Sequence, residues 1–250
     1  MLTTIITACA IILQAQTIPA ATKAWIAKEK KLSNVQPKDF STTTFADDLD
    51  FSNVFFNKNT NNLVGFIGAN KQCLQLHITS ITKDETKKDF YNVQGKSLVK
   101  GNLCGFEGFI VLSNIFKATP LNYAQGTPIA MGIVTAAYYF NEDPTQKNTG
   151  HFEGVLLAKW AINPANQLVY NDYENDFDGF YNNQYVGIWQ SYATKAKKPC
   201  NWGDGCIPLC GDLNTNPYNF EPAKKYLKFG WQTFIDNLKN SANLKPWWDD

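Results

Sequence analysis

Charge of one sign is what this sequence most obviously lacks. Its 23 basic residues face 22 acidic ones, for a formal net charge of +1. No field is available to hold a polyanion, so nucleic acid is excluded as a partner and an anionic membrane surface is a poor one. Lys30-Lys31, Lys87-Lys88 and Lys197-Lys198 are isolated pairs, read as solvated loop ends. Long hydrophobic runs are lacking too. The strongest, Ile5 to Leu13, is too short to span a bilayer as a helix, so no transmembrane segment is expected. A serine nucleophile elbow, a phosphate loop, a dinucleotide fingerprint and a zinc-protease motif are all absent. Their absence weakens an enzymatic reading without closing it, because carboxylate-based hydrolases carry no local signature. Charged residues are only 18% of the chain against 44% hydrophobic ones, which excludes disorder of the whole. At 250 residues there is room for one large β domain or two small ones.

What is present begins with an uncharged stretch from Met1 to Thr22. It reads as a secretion signal over residues 1–15, cut near the small Ala15, although the usual basic leader is missing, as in a start truncated upstream. A buried N-terminal segment of a cytosolic protein is the plain alternative. Ile6-Thr7-Ala8-Cys9 resembles a bacterial lipoprotein box, which marks Cys9 as a candidate lipid anchor; simple cleavage is favoured because only eight residues precede it. Export to the periplasm, outer envelope or medium predicts disulfides. The available cysteines are Cys73, Cys104, Cys200, Cys206 and Cys210. The last three suggest a stapled loop, and Cys73 with Cys104 a bridge between neighbouring strands; spacing does not fix the pairing.

The fold is carried by four triplets of aromatic, spacer and glycine: Phe66-Ile67-Gly68, Phe106-Glu107-Gly108, Phe152-Glu153-Gly154 and Tyr185-Val186-Gly187. They lie 40, 46 and 33 residues apart, room for a hairpin and its loops. In a strand, residues two apart share a face, so each triplet sets a ring beside a gap where a sheet can curl. Period-two patterns appear at Leu74-Leu76-Ile78, Tyr91-Val93, Phe106 to Leu112 and Phe152 to Ile162, residues 130–140 are apolar on both faces and read as a strand covered twice, and Leu168–Tyr170 and Gln184–Tyr192 follow. With Leu63 onward that makes about eight strands. The predicted class is mainly β: an antiparallel, eight-stranded barrel or closed sandwich with the triplet face inside. A four-bladed propeller would need four strands between triplets, and two are found. Around this β domain, placed at 61–210, residues 16–60 read as a helical arm plus linker. Residues 211–250 read as an amphipathic helix (Leu227, Trp231, Phe234, Leu238) and a tail ending Trp247-Trp248, packed on the sheet.

Four constellations carry possible chemistry. Trp160, Trp189, Tyr185 and Phe152 are in phase with the triplet face; inside a barrel mouth they would enclose an apolar ligand or stack on a sugar, and otherwise they are core. Glu107 and Glu153 hold equivalent triplet positions, with His151 beside the second, and would serve as acid and base only if they converged on one cleft. Glu174, Asp176 and Asp178 before Gly179 imitate the start of a calcium loop within the acidic turn 172–179, but lack the closing glutamate. Cys200, Cys206 and Cys210 with His151 or His77 would be needed for zinc, at spacings that do not match paired knuckles.

Gly187-Ile188-Trp189 and the strand count resemble the lipocalin and avidin barrels, which implies one small ligand held in the barrel. The stretch from Leu63 to Pro208 also resembles exported bacterial proteins with repeated Phe-x-Gly strands, which implies an envelope location. The expectation is thus a non-enzymatic exported module binding a small ligand or envelope component. A carboxylate-dependent glycan hydrolase and a scaffold docking through its terminal segments are the alternatives.

Overall fold

The computed structural model describes residues 18–40, 49–56, 62–120, 126–174, 178–216, 218–240 and 245–249. The proposed signal segment and Cys9 lie outside them.

The chain is a closed, eight-stranded antiparallel barrel with short helices packed on it. The strands are β1 (Val35–Phe40), β2 (Asn62–Ile67), β3 (Gln72–Lys83), β4 (Phe90–Val99), β5 (Asn102–Ala118), β6 (Ala130–Glu142), β7 (Gly150–Ile162), β8 (Leu168–Tyr170), β9 (Asn182–Ser191) and β10 (Lys197–Asp204). The wall runs β2-β3-β4-β5-β6-β7-β9-β10 and closes where β10 pairs with β2, Trp202 opposite Gly65 and Cys200 opposite Ile67. Closure removes the open edges that a sheet of this size would otherwise expose. Chain order equals wall order, so apart from the closing β10–β2 pair each wall pairing joins staves that succeed one another along the chain.

The expected strand count holds, but its membership differs. β8 is no stave of its own. It pairs with the far end of β7 (Tyr170 opposite Trp160), and β9 continues along the same edge from Gln184 opposite Leu157. The ladder is interrupted between them, and the Asn182 side chain spans the gap. Its Oδ1 accepts from Lys159 N at 2.6 Å, and its Nδ2 donates to Lys159 O at 3.0 Å and Asn171 O at 3.3 Å. The eighth stave is β10, where sequence reading placed a cysteine loop. β1, in the segment read as linker, pairs with β5 through Val35 opposite Ala118 and Phe40 opposite Ile115.

Three of the four triplets face inward as expected. Phe106, Phe152 and Tyr185 belong to the interior cluster. Gly154 pairs with Gly187, and a Cβ on either would come within 2.8 Å of the Tyr138 hydroxyl, so both glycines make room for that ring. The first triplet is out of phase. Ile67 is the inward residue, Phe66 packs outside against Trp231, and Gly68, at φ +79°, opens the turn to β3.

The interior is filled. Tyr138, Tyr185 and Trp202 are fully buried with ring centroids 4.8–5.2 Å apart. Phe51, at the N-cap of a short helix α2 (Ser52–Phe55), and Phe55 within it belong to the same cluster, and Phe55 packs edge-on against Tyr91. Asn183 donates to the last carbonyls of that helix, Val54 O and Phe55 O. Helix α1 (Ala20–Leu32) covers the outer wall, its Trp25 clustered with Phe116, Ile133, Leu157 and Val186. The expected C-terminal helix is shorter than its pattern. Gly230 takes a left-handed φ of +89°, separating a 3-10 turn (Lys224–Phe229) from α3 (Trp231–Lys239) and leaving Leu238 exposed. Trp231 is buried against Phe66 and Cys73, with its Nε1 donating to Lys71 O.

The disulfide expectation is not met: Cys73, Cys104, Cys200, Cys206 and Cys210 are all free. Cys73 and Cys104 lie on β3 and β5, with β4 between them. Cys104 stands opposite Ser97, and Ser97 opposite Leu76. Two strand spacings of about 4.8 Å and three residues along β3 exceed the reach of a disulfide. Cys200 points into the barrel, whereas Cys206 and Cys210 lie in the turns that follow β10. Burial pushes the Cys73 thiol up to about 12 and Cys104 to about 11.

Candidate functional site

The rings expected to touch a ligand are core. Trp160, Tyr185 and Phe152 are at most 1% exposed and Trp189 7%. Nor do the two triplet glutamates share a cleft. Glu107 is exposed on β5, opposite Asn141, which is opposite His151. Glu153 lies two residues beyond on β7, buried, 3.8 Å from His151 Nε2. Two strand spacings and a two-residue step put their backbones about 12 Å apart. His151 stacks on Tyr139 at 4.8 Å, and burial lowers its pKa against the opposing pull of Glu153.

Of the calcium set, Asp176 lies outside the described residues. Glu174 is 3.9 Å from Lys159 Nζ, and Asp178 is exposed. Among the described residues no three His, Cys, Asp or Glu side chains converge as metal ligands. His77 stacks face to face on Trp248, 4.1 Å between centroids and 4° between planes.

Where the backbone does open a site is the outer wall near one rim. Gln94 on β4, Glu107 on β5 and Asn141 on β6 form one cross-strand row. In the next row Lys96 stands opposite Gly105. Outward residues alternate with the inward Phe106, so Gly105 faces out. A Cβ there would meet nothing within 4 Å. The missing side chain leaves a floor, and a cleft of about 650 Å³ lies over it. The β6–β7 turn forms one side with Asp143 and Pro144, and Gln146 Oε1 accepts from Gly105 N at 2.9 Å.

Beneath the cleft is a buried carboxylate that the motif reading missed. Glu142 is 4% exposed. Its Oε1 accepts from Ser97 Oγ at 2.6 Å, and its Oε2 accepts from Gly150 N and Trp189 Nε1, both at 2.9 Å. Burial raises its pKa, opposed by those three donors. The period-two phase of β6 was the available signal, since Glu142 continues the inward series Tyr138 and Phe140. Tyr192 closes the rim, its hydroxyl within 3.2 Å of Glu142 O and 3.3 Å of Asn141 Oδ1.

The polar groups around the cleft divide into spent and unspent. Both Glu142 oxygens are occupied, and Asp143 Oδ1 accepts from the Thr145 amide and hydroxyl. Lys96 donates to the carbonyl of Trp248, which ties the C-terminal turn to the cleft wall. Among the described residues, the carboxylate of Glu107, the hydroxyl of Thr79 and the amide nitrogen of Gln94 make no bond within the chain; Gln94 Oε1 accepts from Ser80.

No family model, curated protein or solved structure matches this chain. The site therefore rests on its own geometry.

A second cleft, of about 820 Å³, lies at the opposite end of the barrel between α2 and the β7–β8 hairpin. Asn53 and Phe56 line one side, Gln167 and Tyr170 the other. The Tyr170 hydroxyl is already held by Asp204 Oδ2.

Proposed function

We propose that this chain is an exported, non-enzymatic binding module whose small ligand sits in the rim cleft over Gly105, outside the barrel. The supporting observation is the cluster of unspent hydrogen-bonding groups, Glu107, Gln94 and Thr79, around a floor with no side chain. Buried polar networks in a folded chain are normally satisfied, and that of Glu142 is. Groups left over around a concave, pre-formed surface are what a ligand uses, and the cleft's volume falls in the usual range for small-molecule sites. A hydrolytic reading has less support, because Glu107 and Glu153 open on different surroundings. A scaffold docking through its ends also has less, because α1, α3 and the Trp247-Trp248 turn are all engaged by the barrel itself.

The test is a ligand-observed NMR screen of a small-molecule library against wild type and Gly105→Trp. Ligands found with the wild type are expected to be lost in the variant, whose melting temperature stays within a few degrees. Ligands that bind both proteins equally would refute the cleft. Export is tested on protein recovered from its native host: intact mass spectrometry is expected to show the first 15 or so residues removed, and an unprocessed N-terminus in that material would refute it.

A further inference from the structure

Resting on that reading, we infer that the cleft takes an uncharged sugar unit. Anions fit it poorly. Lys96 is the one cation among the described lining residues, against the carboxylates of Glu107, Glu142 and Asp143. The chain contains no arginine at all, so the bidentate clamp that recognises phosphate or carboxylate is missing. Cations fit poorly too. Glu142 and one oxygen of Asp143 are spent on internal donors, Glu107 alone is fully unspent, and the Lys96 ammonium stands in the same cleft. A pure hydrocarbon would meet the apolar part of the lining, Phe106, Pro144 and Tyr192, but would leave Glu107, Gln94 and Thr79 without partners, so the ligand carries both apolar and polar faces.

Hydroxyl groups answer this pattern. Each is one donor and up to two acceptors. Glu107 asks for a donor, and Thr79 and Gln94 offer protons to acceptors. The Glu107 and Gln94 positions face each other across β4 and β5, about 5 Å apart at the backbone, a separation that neighbouring hydroxyls on one sugar ring can bridge. Gly105 in the adjoining row leaves room for the ring itself. Tyr192 borders the cleft on one side, and the Trp248 turn is tied to the other through Lys96. Tyr192 supplies an aromatic edge against which the C–H face of a sugar packs.

The experiment is saturation-transfer NMR and calorimetry on the full chain with defined probes. The sugars are glucose, galactose, N-acetylglucosamine and the β1,4-linked trisaccharides of glucose and N-acetylglucosamine. The controls are inorganic phosphate, citrate, putrescine and decanoate. Wild type is expected to bind at least one sugar and no control. Gly105→Trp is expected to weaken that sugar at least tenfold, and Glu107→Gln, which keeps the shape and loses the charge, several-fold. Preference for a trisaccharide over its monomer would identify a glycan chain, and equal affinity a free sugar. A control compound that binds and is blocked by Gly105→Trp would overturn the sugar and leave the cleft standing. Sugar binding untouched by both substitutions would overturn the cleft. No response from any probe at millimolar concentration would overturn the sugar inference.

Discussion

Glu142 is the residue whose chemistry is most sharply constrained. Its carboxyl holds a proton in the folded chain at pH values where the unfolded chain has already lost it, because burial raises its pKa. Stability therefore falls as pH rises through that window. Glu142→Gln has the same shape. Its amide can donate to Ser97 Oγ while its oxygen accepts from Gly150 N and Trp189 Nε1. The variant is expected to melt above wild type at pH 8, with the gap closing toward pH 4; a lower melting temperature at pH 8 would contradict this. Glu142→Ala strands three donors and is expected to cost about 2–4 kcal/mol by denaturant unfolding. The core offers a complementary case. Tyr138 Oη, Tyr185 Oη and Trp202 Nε1 are buried without a hydrogen-bond partner among the described residues. Tyr185→Phe removes one such group and is expected to be neutral or to stabilise by up to about 1 kcal/mol. Glycines split the same way. Gly187→Ala drives a Cβ to 2.1 Å from Glu153 O and is expected to cost about 3 kcal/mol or more, whereas Gly105→Ala, with open space around it, is expected to be nearly silent. At this scale the inward glycines were legible from their place two residues after a ring. Glu142 was not picked out, because a lone glutamate ending an apolar run looks like a solvated strand end.

Among the elements, those with clean alternation were legible: β3, β5 and β7 fall where period-two patterns place them, and β6 where a run apolar on both faces does. β10 did not, because Lys197-Lys198-Pro199 and the cysteines around Gly203 and Gly205 look like loop. Its strand character comes from neighbours on both sides: β2 pairs through four residues and β9 through seven, and only the folded wall supplies them. The break between β8 and β9 was equally hidden, since a side-chain amide standing in for backbone leaves no periodic trace. Asn182→Ala is expected to cost about 1–3 kcal/mol, since it leaves Lys159 N unpaired at that gap, while Lys159 O keeps the Asn171 amide. The C-terminal segment acts as a cover on β2 and β3. Trp231→Ala is expected to undock it and expose Cys73, whose buried, raised thiol is otherwise inert. Maleimide labelling of Cys73 should then accelerate at least tenfold relative to wild type. Unchanged labelling would mean that Trp231 does not hold the cover.

The whole molecule depends on closing a ribbon of hairpins around rings that fit beside glycines. The sequence carried that idea through three triplets. It did not carry the phase of the first, because β2 ends at Ile67 and its glycine serves a turn. Nor did it carry the site, since the cleft arises from residues on four strands brought into two rows by register. A filled interior moves ligand chemistry to the outer wall, where Gly105 leaves the surface open. The barrel depends most heavily on the β2–β10 seam, because without it two edges would be exposed and the interior rings would meet water. Amide hydrogen exchange resolved by residue tests that seam directly. The barrel predicts that paired amides in 62–67 and 200–204 are protected as strongly as those in the β5–β6 ladder. Exchange at those amides as fast as in an open strand edge, with β5 and β6 still protected, would contradict it.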